Sequence, residues 1–184
     1  MTGPAHRASQ ARPKITLERA YPAAIDRVWE LWTTRDGIES WWGPEGFEVE
    51  VRRLDLRPGG ELLYAMRAVG PDQIEFMNKA GMPLLDEHRV LYMQVEPPRR
   101  LVYKGVADFI PGVKPYEVET TVELEQVAEG TRLVVTFEAM HDEHWTRLAV
   151  MGKEMELDKL GRLLEAGGAD IRKHPGAHRQ RLVA

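Results

Sequence analysis

Tyr116-Glu117-Val118-Glu119-Thr120-Thr121-Val122-Glu123-Leu124-Glu125 is the stretch that decides the fold. Tyr116, Val118, Thr120, Val122 and Leu124 alternate with Glu117, Glu119, Thr121, Glu123 and Glu125. Side chains of a strand point to opposite faces in turn, so this segment has one apolar face and one acidic face. The acidic face must be wet. Glu129-Gly130 then turns the chain into Leu133, Val135, Phe137 and Ala139, which alternate likewise. Two long strands at this spacing predict an antiparallel hairpin with one side buried.

Downstream, Trp145, Leu148, Met151, Met155, Leu160, Leu163 and Leu164 make a broad apolar stripe. The pattern predicts a long helix over 142–166, ended by Gly167-Gly168. Upstream, Ile15 and Leu17 read as a half-buried strand stopped by Pro22. Ile25, Val28, Trp29 and Trp32 share one face of a short helix. Thr34 is placed to cap a second, which ends at Trp41-Trp42-Gly43-Pro44. From Phe47 the period becomes two, through Val49 and Val51, and Arg52-Arg53 breaks the phase as a bulge would. Pro58-Gly59-Gly60 is a turn into Leu62, Tyr64, Met66 and Ala68. Residues 90–95 and 101–106 read as two further strands, joined by Glu96-Pro97-Pro98-Arg99.

The expected order is a strand, two short helices, six strands and one long helix. A meander with one polar face must bury the other, and only the last helix is long enough to cover it. The fold class is therefore α+β, a curved antiparallel sheet of about seven strands wrapped around a C-terminal helix. An apolar pocket is expected between the two.

Composition narrows the function classes. The 184 residues are 43% hydrophobic and 29% charged, which suits one globular domain. The absence of cysteine excludes disulfides and thiol catalysis. The net charge is −4, with basic residues gathered at both ends: Arg7 and Arg12 at one, Arg172, Lys173, Arg179 and Arg181 at the other. The body between is acidic, which argues against a nucleic-acid partner. We expect flexible tails at 1–13 and 167–184 around one domain at 14–166. No stretch reads as a secretory signal or a bilayer span, so a cytoplasmic protein without membrane insertion is expected.

Four pieces together resemble the helix-grip SRPBCC superfamily of START and Bet v 1-like ligand-binding domains. They are Pro22 with Val28-Trp29-Glu30-Leu31-Trp32; Trp41-Trp42-Gly43-Pro44 with Gly46-Phe47; Asp55-Leu56-Arg57-Pro58-Gly59-Gly60; and Glu96-Pro97-Pro98-Arg99-Arg100-Leu101-Val102-Tyr103 with Gly130-Thr131-Arg132-Leu133. More narrowly they resemble its branch named for the activator of Hsp90 ATPase (AHSA1-type). Three features depart from that pattern. Gly152 is followed by Lys153 where relatives often have Trp, and the segments 69–86 and 107–115 are extended.

The resemblance implies a binding module for an apolar or amphipathic small molecule, with no cofactor. The candidate wall is Tyr64, Met66, Tyr92, Tyr103, Val122, Phe137, Trp145, Leu148, Met151 and Met155. Such sites are lined by apolar and aromatic groups with a few polar anchors, here the tyrosine hydroxyls. Phe76 and Met77 join the list from the segment 69–86, which reads as a loop too apolar to lie bare. It is either a lid on the pocket or a contact in a homodimer. The Trp41-Trp42 pair reads as a seal between helices and sheet, or else as a pocket mouth.

Two rival functions remain. Analogy with the branch's namesake implies a protein-interaction role with an Hsp90-type chaperone. Other helix-grip relatives are polyketide cyclases or dehydratases, chemistry that needs a buried acid or base. No catalytic residue is assigned. Glu119 and Glu138 fall on the solvent face, Asp108 lies in a loop near the expected opening, and His88 reads as a strand-edge histidine facing water. His141 and His144 lie three apart at a helix start but lack a third metal ligand, and Asp142 reads as the helix cap. No metal site is expected.

Overall fold

The hairpin forms as its alternation requires. In this computed structural model, which describes the backbone of residues 12–173 and the side chains of residues 12–167, β6 (Tyr116–Val127) and β7 (Gly130–Glu138) pair antiparallel. Val122 lies opposite Val135 and Leu124 opposite Leu133, all four buried. β1 (Lys14–Tyr21) joins the other edge of β7. The remaining strands, β2 (Phe47–Leu54), β3 (Glu61–Ala68), β4 (Leu85–Glu96) and β5 (Arg100–Ala107), complete a seven-stranded antiparallel sheet in the order β1-β7-β6-β5-β4-β3-β2. The bulge at Arg52-Arg53 is present as a register shift between Val51 and Arg53.

Three helices cover the inner face. α1 (Ile25–Thr33) and α2 (Arg35–Trp41) follow β1, and the Thr34 hydroxyl accepts from Gly37 N at 3.1 Å to cap α2. α4 (Glu143–Lys173) closes the chain. Tyr21 Oη donates to Leu157 O at 2.8 Å and ties β1 to that helix. Between the layers lies one core. Trp32, Trp41 and Trp42 meet there at centroid separations of 4.6, 5.6 and 5.4 Å. Trp41 Nε1 donates to Leu31 O at 2.8 Å. The tryptophan pair therefore seals helices against sheet. The acidic outer face of β6 is wet, as its glutamates require, and is paired with Arg100, Lys104 and Arg132. Exposed pairs of this kind contribute up to about 1 kcal/mol each.

The structure corrects the expected layout in three places. Residues 69–86 are not a loop. They hold α3 (Pro71–Ala80), started by proline in its first turn and stopped by Gly81 at φ 66°. β4 then begins at Leu85, five residues before the apolar run that betrayed it. Finally, α4 passes through Gly167-Gly168 to Lys173. Glycine lowers helix stability by about 1 kcal/mol without forbidding helical dihedrals, so two glycines need not end a long helix.

Residues 1–11 and 174–184 of the expected tails lie outside the described residues. Within them, Arg12 pairs with Glu138 at 2.7 Å and lies 4.6 Å from the centre of the Tyr116 ring. Ala139 N donates to Pro13 O at 2.7 Å, so the sheet engages the chain before residue 14. No described helix is long and apolar enough to cross a membrane.

Candidate functional site

The two halves of α4 are packed differently. In the C-terminal half, Leu157, Leu160 and Leu164 are buried in the core. Just before them the buried Glu156 carboxylate accepts from Gly43 N at 3.0 Å and pairs with Lys153. Lys159 Nζ donates to Gly43 O at 2.9 Å. Gly43 holds φ 94°, which lets the Trp42-Gly43-Pro44 corner turn toward the helix. The Lys153 ammonium also stands 5.4 Å from the centre of the Trp42 ring.

The N-terminal half is capped and packs more lightly, with Ala149 and Val150 partly buried against the core. Asp142 Oδ1 accepts from Trp145 N at 2.7 Å, the cap expected of it. Trp145 and Leu148 are half-buried, while Met151 and Met155 are 51% and 39% exposed. None of these four belongs to the core cluster. A series of aromatic contacts runs from Trp145 to the core. Trp145 meets Phe109 at 6.2 Å, Phe109 meets His88 at 5.8 Å, His88 stacks on Tyr64 at 5.3 Å, and Tyr64 meets Trp42 at 6.1 Å. These contacts link the first turns of α4 to the core at Trp42.

The expected wall is thus divided. Tyr64, Tyr92, Tyr103, Val122 and Phe137 are core residues, with Met66 half-buried against them. Burial raises the phenol pKa of Tyr64, Tyr92 and Tyr103 above the ordinary value, so they stay protonated hydrogen-bonding groups. Trp145, Leu148, Met151 and Met155 lie outside that core. Phe76, 46% exposed, and Met77, buried, sit on α3, which packs beside β3. A surface depression of about 350 Å³ lies elsewhere, among Glu96, Arg99, Arg100, Glu123, Glu125 and Arg132. There Arg100 pairs with Glu123 and Arg132 with Glu125.

His88 is the residue that the sequence reading misplaced. Because β4 starts early, Asp86, His88, Val90 and Tyr92 share its inner face, and His88 lies opposite Tyr64. It does not face water. Burial lowers the pKa of its imidazole, and the charges of Asp86 and Asp108 pull the other way. Asp108 arrives from the segment after β5, and one donor atom from each of Asp86, His88 and Asp108 lies within 4.8 Å of the others. The signal was present as a period of two through 86, 88, 90 and 92, but its polar half does not look like a strand. His141 is engaged otherwise, 3.1 Å from Tyr116 Oη and 3.2 Å from Asp142. Glu138 lies on the outer face and accepts from Arg12 and from Glu119 N.

Comparison with known proteins agrees with this architecture. The family model described as activator of Hsp90 ATPase homolog 1-like protein matches residues 22–165. A Chromobacterium violaceum protein of solved structure is 21% identical, with a TM-score of 0.66 over 82% of this chain and 96% of that one. An AHSA1-like protein from Aeromonas hydrophila is 23% identical, with a TM-score of 0.65 over 91% of this chain and 100% of the other. The AHSA1 protein from Silicibacter pomeroyi is 20% identical, with a TM-score of 0.65 over 84% and 99%. At these identities the likeness is one of fold. No curated protein matches.

Proposed function

Because this chain belongs to the family of activator of Hsp90 ATPase homolog 1-like proteins, a branch of the SRPBCC superfamily, we propose that it binds an apolar or amphipathic small molecule against the N-terminal half of α4. One observation carries the reading. Trp145, Leu148, Met151 and Met155 give the helix an apolar stripe that the core leaves unused. Exposed apolar surface costs about 25 cal/mol per Å², a cost that a ligand covering it would offset. Met side chains adapt to irregular partners, and the neighbouring aromatic rings offer flat faces.

The test is titration with the fluorescent probe N-phenyl-1-naphthylamine. Saturable binding is expected, weakened at least tenfold in a Met151→Lys/Met155→Lys variant that keeps the wild-type melting temperature. A wild-type chain that does not bind the probe, or a variant that binds it equally well, would overturn the reading. A second reading, acid–base catalysis of the cyclase or dehydratase type, is favoured only by the inward His88. It predicts that His88→Gln abolishes turnover of an aromatic polyketone while leaving probe affinity unchanged.

A further inference from the structure

The gathering of Asp86, His88 and Asp108 is not needed to bind an apolar molecule, and its geometry asks for its own explanation. Asp86 and His88 are two residues apart on one strand, so their side chains project from the same face. β5 ends at Ala107 beside them, and the next residue, Asp108, brings a second carboxylate to the imidazole. Two acids placed this close repel each other unless a positive charge lies between them. Among the described residues, no Lys or Arg forms an ion pair with either one, although ion pairs are frequent on the rest of the surface. The imidazole is half-buried, and among the described residues it makes no hydrogen bond. Tyr64 stacks on one side of it and the edge of Phe109 meets it from another, which fixes the plane of the ring.

We infer that Asp86, His88 and Asp108 form a three-ligand site for a divalent transition-metal ion beside Tyr64 and Phe109. The donor set is one imidazole nitrogen and two carboxylate oxygens. Such a mixed set suits borderline ions such as Zn²⁺, Fe²⁺ and Mn²⁺ better than Ca²⁺, which takes six to eight oxygens. Three protein ligands leave coordination positions open for water or for a ligand's oxygen. Ligand atoms on a tetrahedral ion stand about 3.3 Å apart, so donors now within 4.8 Å of one another must close by up to about 1.5 Å, and Asp108 can supply the movement because it is exposed. The inference does not depend on the apolar-ligand reading, since it rests on separate side chains.

The test is calorimetric titration of the full chain, first stripped with chelator, with Zn²⁺ and Mn²⁺ separately. One saturable site per chain is expected, with a rise in melting temperature on loading. Asp86→Asn and Asp108→Asn keep side-chain shape and are each expected to weaken binding at least tenfold. His88→Ala is expected to abolish it, while His141→Ala/His144→Ala leaves it unchanged. Co²⁺ loading adds an independent readout, a visible absorption band that His88→Ala removes. Absence of saturable binding to the wild-type chain would overturn the inference, as would equal affinity in Asp108→Asn, whose exposed position makes misfolding no excuse. Binding of tetramethylammonium at this cluster in place of any metal would overturn it too and make the site one for organic cations.

Discussion

The Gly43 N–H donates to Glu156 Oε1 at 3.0 Å, so a buried carboxylate on the last helix holds a corner 113 residues away in the chain. Glu156 also pairs with Lys153, and Lys159 takes the Gly43 carbonyl. Both backbone polar groups of one glycine are thus satisfied by side chains of α4. The Trp41-Trp42 corner and the helix are in this way a single unit.

Glu156→Ala should cost about 2–4 kcal/mol, because it leaves a buried N–H and a mostly buried ammonium without partners. Glu156→Gln keeps an acceptor for Gly43 and should cost less. Urea denaturation of the two variants reads the difference; equal losses would mean that charge alone matters at this joint.

Gly43→Ala should cost about 1–3 kcal/mol, since an L side chain is strained at φ 94° and its Cβ would lie 3.1 Å from Val49 Cγ2. A melting temperature equal to that of the wild type would show that the corner can turn another way.

Leu160→Ala and Met155→Ala separate the two halves of α4. The first opens a cavity in the core and should cost about 2–5 kcal/mol. The second trims an exposed side chain and should change stability by no more than about 0.5 kcal/mol. Similar losses at both sites would mean that the first turns of the helix are packed after all.

Glu138 sets an acid-side dependence. Its partial burial raises its pKa, but the Glu119 amide, the Arg12 guanidinium and Lys14 outweigh that and hold it below the ordinary carboxylate value. A carboxyl depressed on folding contributes stability that is full above its unfolded pKa and is lost as pH falls through the folded one. Stability of the wild type should therefore drop below the ordinary glutamate range, near pH 4, more steeply than that of Glu138→Gln. Parallel pH–melting curves for the two chains would remove Glu138 from the account. Arg12→Ala should flatten the same limb and cost less than about 1 kcal/mol at neutral pH, as a partly exposed pair does.

The sheet was readable in the sequence because its strands alternate and its turns are marked. Leu62, Tyr64 and Met66, or Val122 and Leu124, can lie only on an inner face. Residues 71–80 were not readable as a helix. Ile74, Met77 and Lys79 do not make a clean stripe, and Phe76 points outward. The first turns of β4 were missed for a related reason: Asp86 and His88 occupy inward positions that pattern reading reserves for apolar residues. The polar part of the site was hidden by the polarity that makes it interesting. Trp145, Leu148, Met151 and Met155 were legible as a stripe, but their separation from the buried tyrosines was not. A stripe says which residues share a face and is silent on how far along the helix that face meets the core.

Fastening the long helix near Leu157, Leu160 and Leu164, and not at Met151, makes it a cantilever. Ala149 and Val150 brace it only as partly buried side chains, and the turn that carries Trp145 lies beyond them. Amide hydrogens there should exchange with deuterium sooner than those near Leu160.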